Sequence, residues 1–78
     1  MFEKNCVVTS LRGHDTKRKY IVYEIINKDF CLVVDGVYRK KDNPKKKRIK
    51  HLKNEFKKCD KDIKQMYDFE IATYLKNL

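Results

Sequence analysis

The chain reads as a mainly β protein, a small antiparallel barrel closed off by a C-terminal helix. Three observations predict this. Short runs rich in Val, Ile, Tyr and Phe recur between Asn5 and Arg39, turn-forming residues separate them, and the hydrophobic period lengthens after Leu52. At 78 residues there is room for one domain with a small core, and 40% of the residues are charged.

The elements follow in order. Asn5 to about Arg12 is short and β-branched, which suits a strand, and Gly13-His14-Asp15-Thr16 reads as a turn. A second strand is expected from about Arg18 to Ile26, carried by Tyr20, Ile21, Val22, Tyr23, Ile25 and Ile26. Asn27-Lys28-Asp29 reverses the chain into a third strand, Phe30 to Val34. Asp35-Gly36 has the form of a type I′ hairpin turn, which would set Val37 opposite Val34 and start a fourth strand through Tyr38 and Arg39. Asp42-Asn43-Pro44 makes a further turn, and Lys47 to Leu52 is a candidate fifth strand, short and very basic. Such strands escape exposed edges by closing into a barrel.

Ile63, Met66, Tyr67, Ile71, Tyr74, Leu75 and Leu78 then fall at spacings of three and four, the stripe of an amphipathic helix. Asp68 suits the N-cap of a helix running through Lys76, with Glu70 in its first turn. The stripe is expected to be a lid on the barrel, with a dimer interface as the alternative. Residues 1–54 are therefore assigned to the barrel and 55–78 to a linker and helix.

Charge is the most informative feature for function. The formal net charge is +9, and residues 39–58 hold eleven basic groups against Asp42 and Glu55, so 11 − 2 = +9. The other 58 residues balance nine basic with nine acidic groups. A field gathered into one segment attracts polyanions, nucleic acid foremost. Cys6, Cys31 and Cys59 lack the spacing of a zinc or redox motif and are expected to be free thiols of a cytoplasmic protein. No apolar run approaches the roughly 20 residues that span a bilayer. Two distant histidines and two glycines supply neither a metal site, a triad nor a phosphate-cradling loop, so no enzyme activity and no cofactor are expected.

Ser10-Leu11-Arg12-Gly13-His14-Asp15, a basic stretch and Tyr20-Ile21-Val22-Tyr23-Glu24 resemble the KOW motif. Leu32-Val33-Val34-Asp35-Gly36, then Arg39-Lys40, then Pro44 through Leu52 resemble a bacterial branch of short KOW-domain RNA-binding proteins, related to eukaryotic-type large-subunit ribosomal proteins. The likeness runs from Cys6 to Leu52, about 60% of the chain, and resumes weakly over Asp68–Leu75. It implies an SH3-like barrel, RNA as the ligand, ribosomal RNA foremost, and a link to ribosomes or translation. KOW motifs usually carry a second glycine just after the first loop, and Lys17 occupies that place here.

The candidate RNA-binding residues form three groups. Lys45, Lys46, Lys47, Arg48 and Lys50 supply phosphate-neutralising charge, with a solvated loop as the bland alternative. Arg12, Gly13, His14, Lys17, Arg18 and Lys19 set cations on both sides of a turn, where glycine admits RNA close to the backbone; an ordinary basic hairpin is the competing reading. Arg39 and Lys40 extend the strip. Tyr20, Tyr38 and Phe30 are candidates for base stacking or for the core, and His51 for phosphate contact or packing. The expected partner of this monomer is RNA. An SH3-like module docking an acidic or ribosomal protein is the alternative, and non-specific DNA binding a third possibility.

Overall fold

The computed structural model describes residues 2–78. In chain order its elements are β1 (Cys6–Ser10), β2 (Lys19–Ile25), β3 (Phe30–Val34), β4 (Lys45–Arg48), β5 (Leu52–Lys58) and α1 (Asp68–Lys76), with 3-10 turns at Ile49–His51 and Ile63–Gln65. Among the described residues the strands form one antiparallel sheet in the order β4-β3-β2-β1-β5. β4 and β5 are consecutive in the chain yet occupy opposite edges, joined by three residues. A flat sheet would hold those edges about 19 Å apart, four intervals of about 4.8 Å. The four Cα steps from Arg48 to Leu52 span at most about 14 Å when extended, and a 3-10 turn rises only about 2 Å per residue. The sheet must therefore curl until its edges approach. The result is the expected small barrel-like fold with a C-terminal helix.

Strand alternation divides the core in two. Cys6 and Val8 of β1, Tyr20 and Val22 of β2, Cys31 and Val33 of β3 and Leu52 of β5 form one buried cluster, flanked by Phe2 and Ile49. The intervening residues Val7, Ile21 and Val34 face the other way and meet Cys59, Ile63, Met66 and Ile71. β1 is thus buried on both faces and reads as an unbroken apolar run rather than an alternating one. Ile63, Met66 and Ile71 of the amphipathic stripe, flanked by Tyr74 and Leu75, cover the outer face of the sheet as a lid, whereas Tyr67 and Leu78 of the expected stripe are exposed. The lid's entry is fixed by Asn5, whose side-chain oxygen accepts from the Ile63 N–H at 2.8 Å and whose carbonyl accepts from the Cys59 N–H at 3.0 Å. Glu70 in the first turn of α1 accepts from the Tyr67 N–H at 2.9 Å. Asp68 is the first helical residue rather than the cap, and its carboxylate accepts from the Lys41 N–H at 2.9 Å. The three thiols are buried and unpaired, and burial raises the Cys31 pKa to about 11. Among the described residues no helix is long and apolar enough to cross a membrane.

Two expected strands are corrected. Val37–Arg39 is not a strand, because the Asp35 carboxylate takes the N–H groups of Val37 (3.0 Å) and Arg39 (2.8 Å) that a ladder would need. Gly36 has φ +80° but Asp35 is not in the left-handed region, so the turn is not type I′. The basic strand is Lys45–Arg48, and the stretch expected to continue it to Leu52 is the 3-10 turn. β5 runs to Lys58, so residues 55–58 are strand rather than linker. Gly36 has a packing reason as well as a turn to make: a Cβ there would overlap the Asp68 carbonyl oxygen and the Ala72 nitrogen of α1.

Gly36→Ala should accordingly lower stability by more than about 2 kcal/mol in urea denaturation, combining strained φ with a backbone clash. An unchanged midpoint would mean that α1 does not rest on this position.

Candidate functional site

Two of the thirteen candidate residues, Lys45 and Lys47, converge on one side chain that is not among them. Asp15, in the β1–β2 loop, is 4% exposed. Its Oδ1 accepts from the Ser10 hydroxyl at 2.9 Å and Lys47 Nζ at 3.0 Å, and its Oδ2 from the Tyr20 hydroxyl at 2.6 Å and Lys45 Nζ at 3.0 Å. Burial alone would push the carboxyl up. The hydrogen bonds from Tyr20, Lys45, Lys47 and Ser10 outweigh it and hold the pKa far below the ordinary aspartate value. Tyr20 is driven the other way, up to about 12, by burial and then by the Asp15 carboxylate. Lys47 Nζ also donates to the Arg12 carbonyl at 3.1 Å, so the loop is tied to β4 by side chains on both sides.

β alternation splits the basic run in two. Lys45 and Lys47 pair with Val33 and Cys31 of β3 and turn inward to Asp15, while Lys46 and Arg48 pair with Leu32 and Phe30 and are exposed. Lys47 is only 9% exposed, so it is a structural cation rather than part of a solvent-facing strip. Lys46 Nζ and the Arg48 guanidinium lie over the Phe30 ring, at 4.6 and 4.8 Å from its centroid. Phe30 is therefore a half-buried floor under two cations. Tyr20 is fully buried and belongs to the core, which removes it from the stacking candidates.

The far side of the same loop carries a second group. The Arg18 guanidinium sits 4.3 Å from the centroid of the Tyr38 ring, and Tyr38 is 70% exposed. Both border a groove of about 380 Å³ shared with Lys17, Lys19 and Lys76. Lys17 adopts φ +73°, the left-handed region that glycine favours, so the lysine occupies a glycine-like conformation. Arg39 and Lys40 follow Tyr38, with Arg39 half-buried and held through its backbone to Asp35 and Gly36, and Lys40 exposed. The β1–β2 loop thus touches β4 on one side, through Lys45 and Lys47, and the 35–40 loop on the other, through Arg18 and Tyr38.

The 3-10 turn adjoins the same loop. The Leu11 N–H donates to the His51 carbonyl at 2.9 Å, which brings Lys50 and His51 to the Arg12 end of the loop. Partial desolvation first, then the cations Arg12, Lys50, Arg48 and Lys47, press the His51 imidazole below its ordinary pKa of 6.5. Gly13 and His14 are exposed at the loop tip. Among the described residues, no carboxylate oxygen lies within 4.0 Å of the side-chain nitrogens of Arg12, Lys17, Arg18, Lys19, Arg39, Lys40, Lys46, Arg48 or Lys50. Sequence reasoning placed Asp15 in a turn and missed its role. The available signal was a carboxylate among cations next to Ser10 and Tyr20, all within five residues of it.

Asp15→Ala should cost about 3–5 kcal/mol in urea denaturation, because Lys47 would stay buried without its counter-charge. The folded pKa is depressed, so the stability due to Asp15 is complete above the ordinary value of 3.8 and drains away as the pH falls below it. Wild-type stability should therefore decline more steeply than that of Asp15→Ala below about pH 4. Parallel acid profiles would remove Asp15 from this role.

Compared with known proteins, the chain matches no family model and no curated protein.

Proposed function

We propose that the protein binds RNA in the cytoplasm as a monomer, in association with ribosomes or translation, through the band of cations spanning the β1–β2 loop, the outer face of β4 and the Ile49–His51 turn. One observation carries this reading: among the described residues, nine arginines and lysines of the β1–β2 loop, the start of β2, the 35–40 loop, β4 and the Ile49–His51 turn have no carboxylate within 4.0 Å, although the chain contains eleven acidic residues. A surface built for solubility would intersperse the two signs. Here the one acidic residue at the centre, Asp15, is buried and already shared by two lysines, so its charge does little to cancel the outer field.

The roles follow from side-chain type. Lys46 and Lys50 neutralise phosphates as point charges, while Arg12 and Arg48 offer planar forks that grip phosphate oxygens bidentately. Tyr38, with one face taken by Arg18, presents the other to an unpaired base. The resemblance of Ser10–Asp15 and Pro44–Leu52 to ribosome-related KOW proteins supports ribosomal RNA as the target and an SH3-like barrel as the scaffold.

Anisotropy titration against ribosomal RNA fragments tests this. With about six phosphates contacted, log affinity should fall against log salt with a slope of about −4. RNA should also raise the His51 pKa in an NMR titration, since phosphates would offset the surrounding cations, so affinity should increase as the pH falls through that transition. Weak binding with a flat salt response would sink the reading. Equal affinity for duplex DNA would make it a general nucleic-acid binder, and equal affinity for polyglutamate a docking surface for acidic proteins.

A further inference from the structure

Phe56 is at odds with its surroundings. It is 85% exposed although aromatic, and its φ of +58° places a bulky residue in the left-handed region. The cause lies in the register: Val8 pairs with Asn54 and Cys6 with Lys58, so the three residues 55–57 of β5 stand opposite Val7 alone. The surplus is thrown outward as a bulge, which the Asn54 side chain fixes by accepting the Phe56 N–H at 2.8 Å. An exposed ring on a strained backbone gains little from packing, which directs attention to a ligand.

We infer that Phe56 is a stacking platform for an unpaired RNA base, fed by a phosphate track along β5. The inference rests on the RNA-binding reading and deepens it by naming single-stranded RNA as the ligand of this edge. Phe56 shares a concavity of about 220 Å³ with Lys57 and Lys58, and with Glu3, Cys6 and Asn54. Lys53 and Lys57 have no carboxylate within 4.0 Å among the described residues, and the contact of Lys58 with Glu3, 3.3 Å, is exposed and so weakly held. β5 begins at Leu52, directly after His51, and Lys53 follows the Ile49–His51 turn by two residues. From Leu52 to Phe56 is about 13 Å at 3.3 Å per residue, within reach of one bound strand. A ring beside cations suits a nucleotide, whose base stacks while its phosphate is neutralised.

Two variants test the platform against oligo(A) and a blunt RNA duplex. Phe56→Gly relieves the positive φ, so its melting temperature should match or exceed that of wild type. Its affinity for oligo(A) should nonetheless fall by about 5- to 100-fold, with the salt slope retained and duplex binding unchanged. Phe56→Trp should retain affinity, and as the chain otherwise has no tryptophan its fluorescence should be quenched by oligo(A). If Phe56→Gly binds oligo(A) as tightly as wild type while both keep a steep salt slope, the platform is refuted and RNA binding stands. If wild type binds no RNA, both fall.

Discussion

A buried carboxylate with four donors is the constraint on which the site depends. Asp15 lies in a loop of eight residues between β1 and β2, and such a loop would ordinarily move freely over the surface. All four of its donors come from strands: Ser10 at the end of β1, Tyr20 in β2, and Lys45 and Lys47 in β4. The loop is therefore held to the barrel at its middle, and Arg12, Gly13 and His14 are presented from a fixed base. Burying one carboxylate with two ammonium groups carries a desolvation cost, so its value is better understood as positioning than as bulk stability. No buried side-chain polar atom among the described residues lacks a hydrogen-bond partner, which is the condition under which such a cluster is tolerable.

The same cluster explains how one basic run serves two purposes. A strand sends successive side chains to opposite faces, so four consecutive cations cannot all face solvent. Lys45 and Lys47 neutralise the core carboxylate, and Lys46 and Arg48 are left outside, spread over Phe30. Like charges on adjacent β4 positions are thereby kept apart. The exposed pair rests on an aromatic face, which attracts cations without cancelling their charge. What faces solvent is a smaller positive surface than the sequence alone suggests, and a more rigid one.

The elements legible in the sequence were those whose side chains report their own burial. Phe30–Val34 has the bounds expected of it, and the helix through Lys76 differs only at its start, where Tyr67 rather than Asp68 is the cap, because an unbroken apolar run and a three-to-four spacing both express packing directly. β5 was not legible. Lys-Asn-Glu-Phe-Lys-Lys has little β propensity, and this stretch is a strand because it pairs with β1, a long-range fact. Asp35-Gly36 misled for a related reason: the glycine answers to the approach of α1, more than thirty residues away, and the aspartate side chain replaces the ladder. Within the candidate site, charge clustering located the right segments but could not separate Lys47 from Lys46, since that depends on strand phase. Phe56 escaped notice because a bulge depends on register between strands and leaves no local mark.

The most direct test of this account compares two double variants, each removing two charges from β4. Lys46→Gln with Arg48→Gln should leave the urea midpoint near that of wild type while flattening the RNA salt slope by about 1.4 units. Lys45→Gln with Lys47→Gln should do the reverse in stability, lowering the midpoint sharply as Asp15 loses both ammonium partners. Equal losses of stability from the two pairs, or an equal flattening of the slope, would contradict the division of this strand into a bracing face and a binding face.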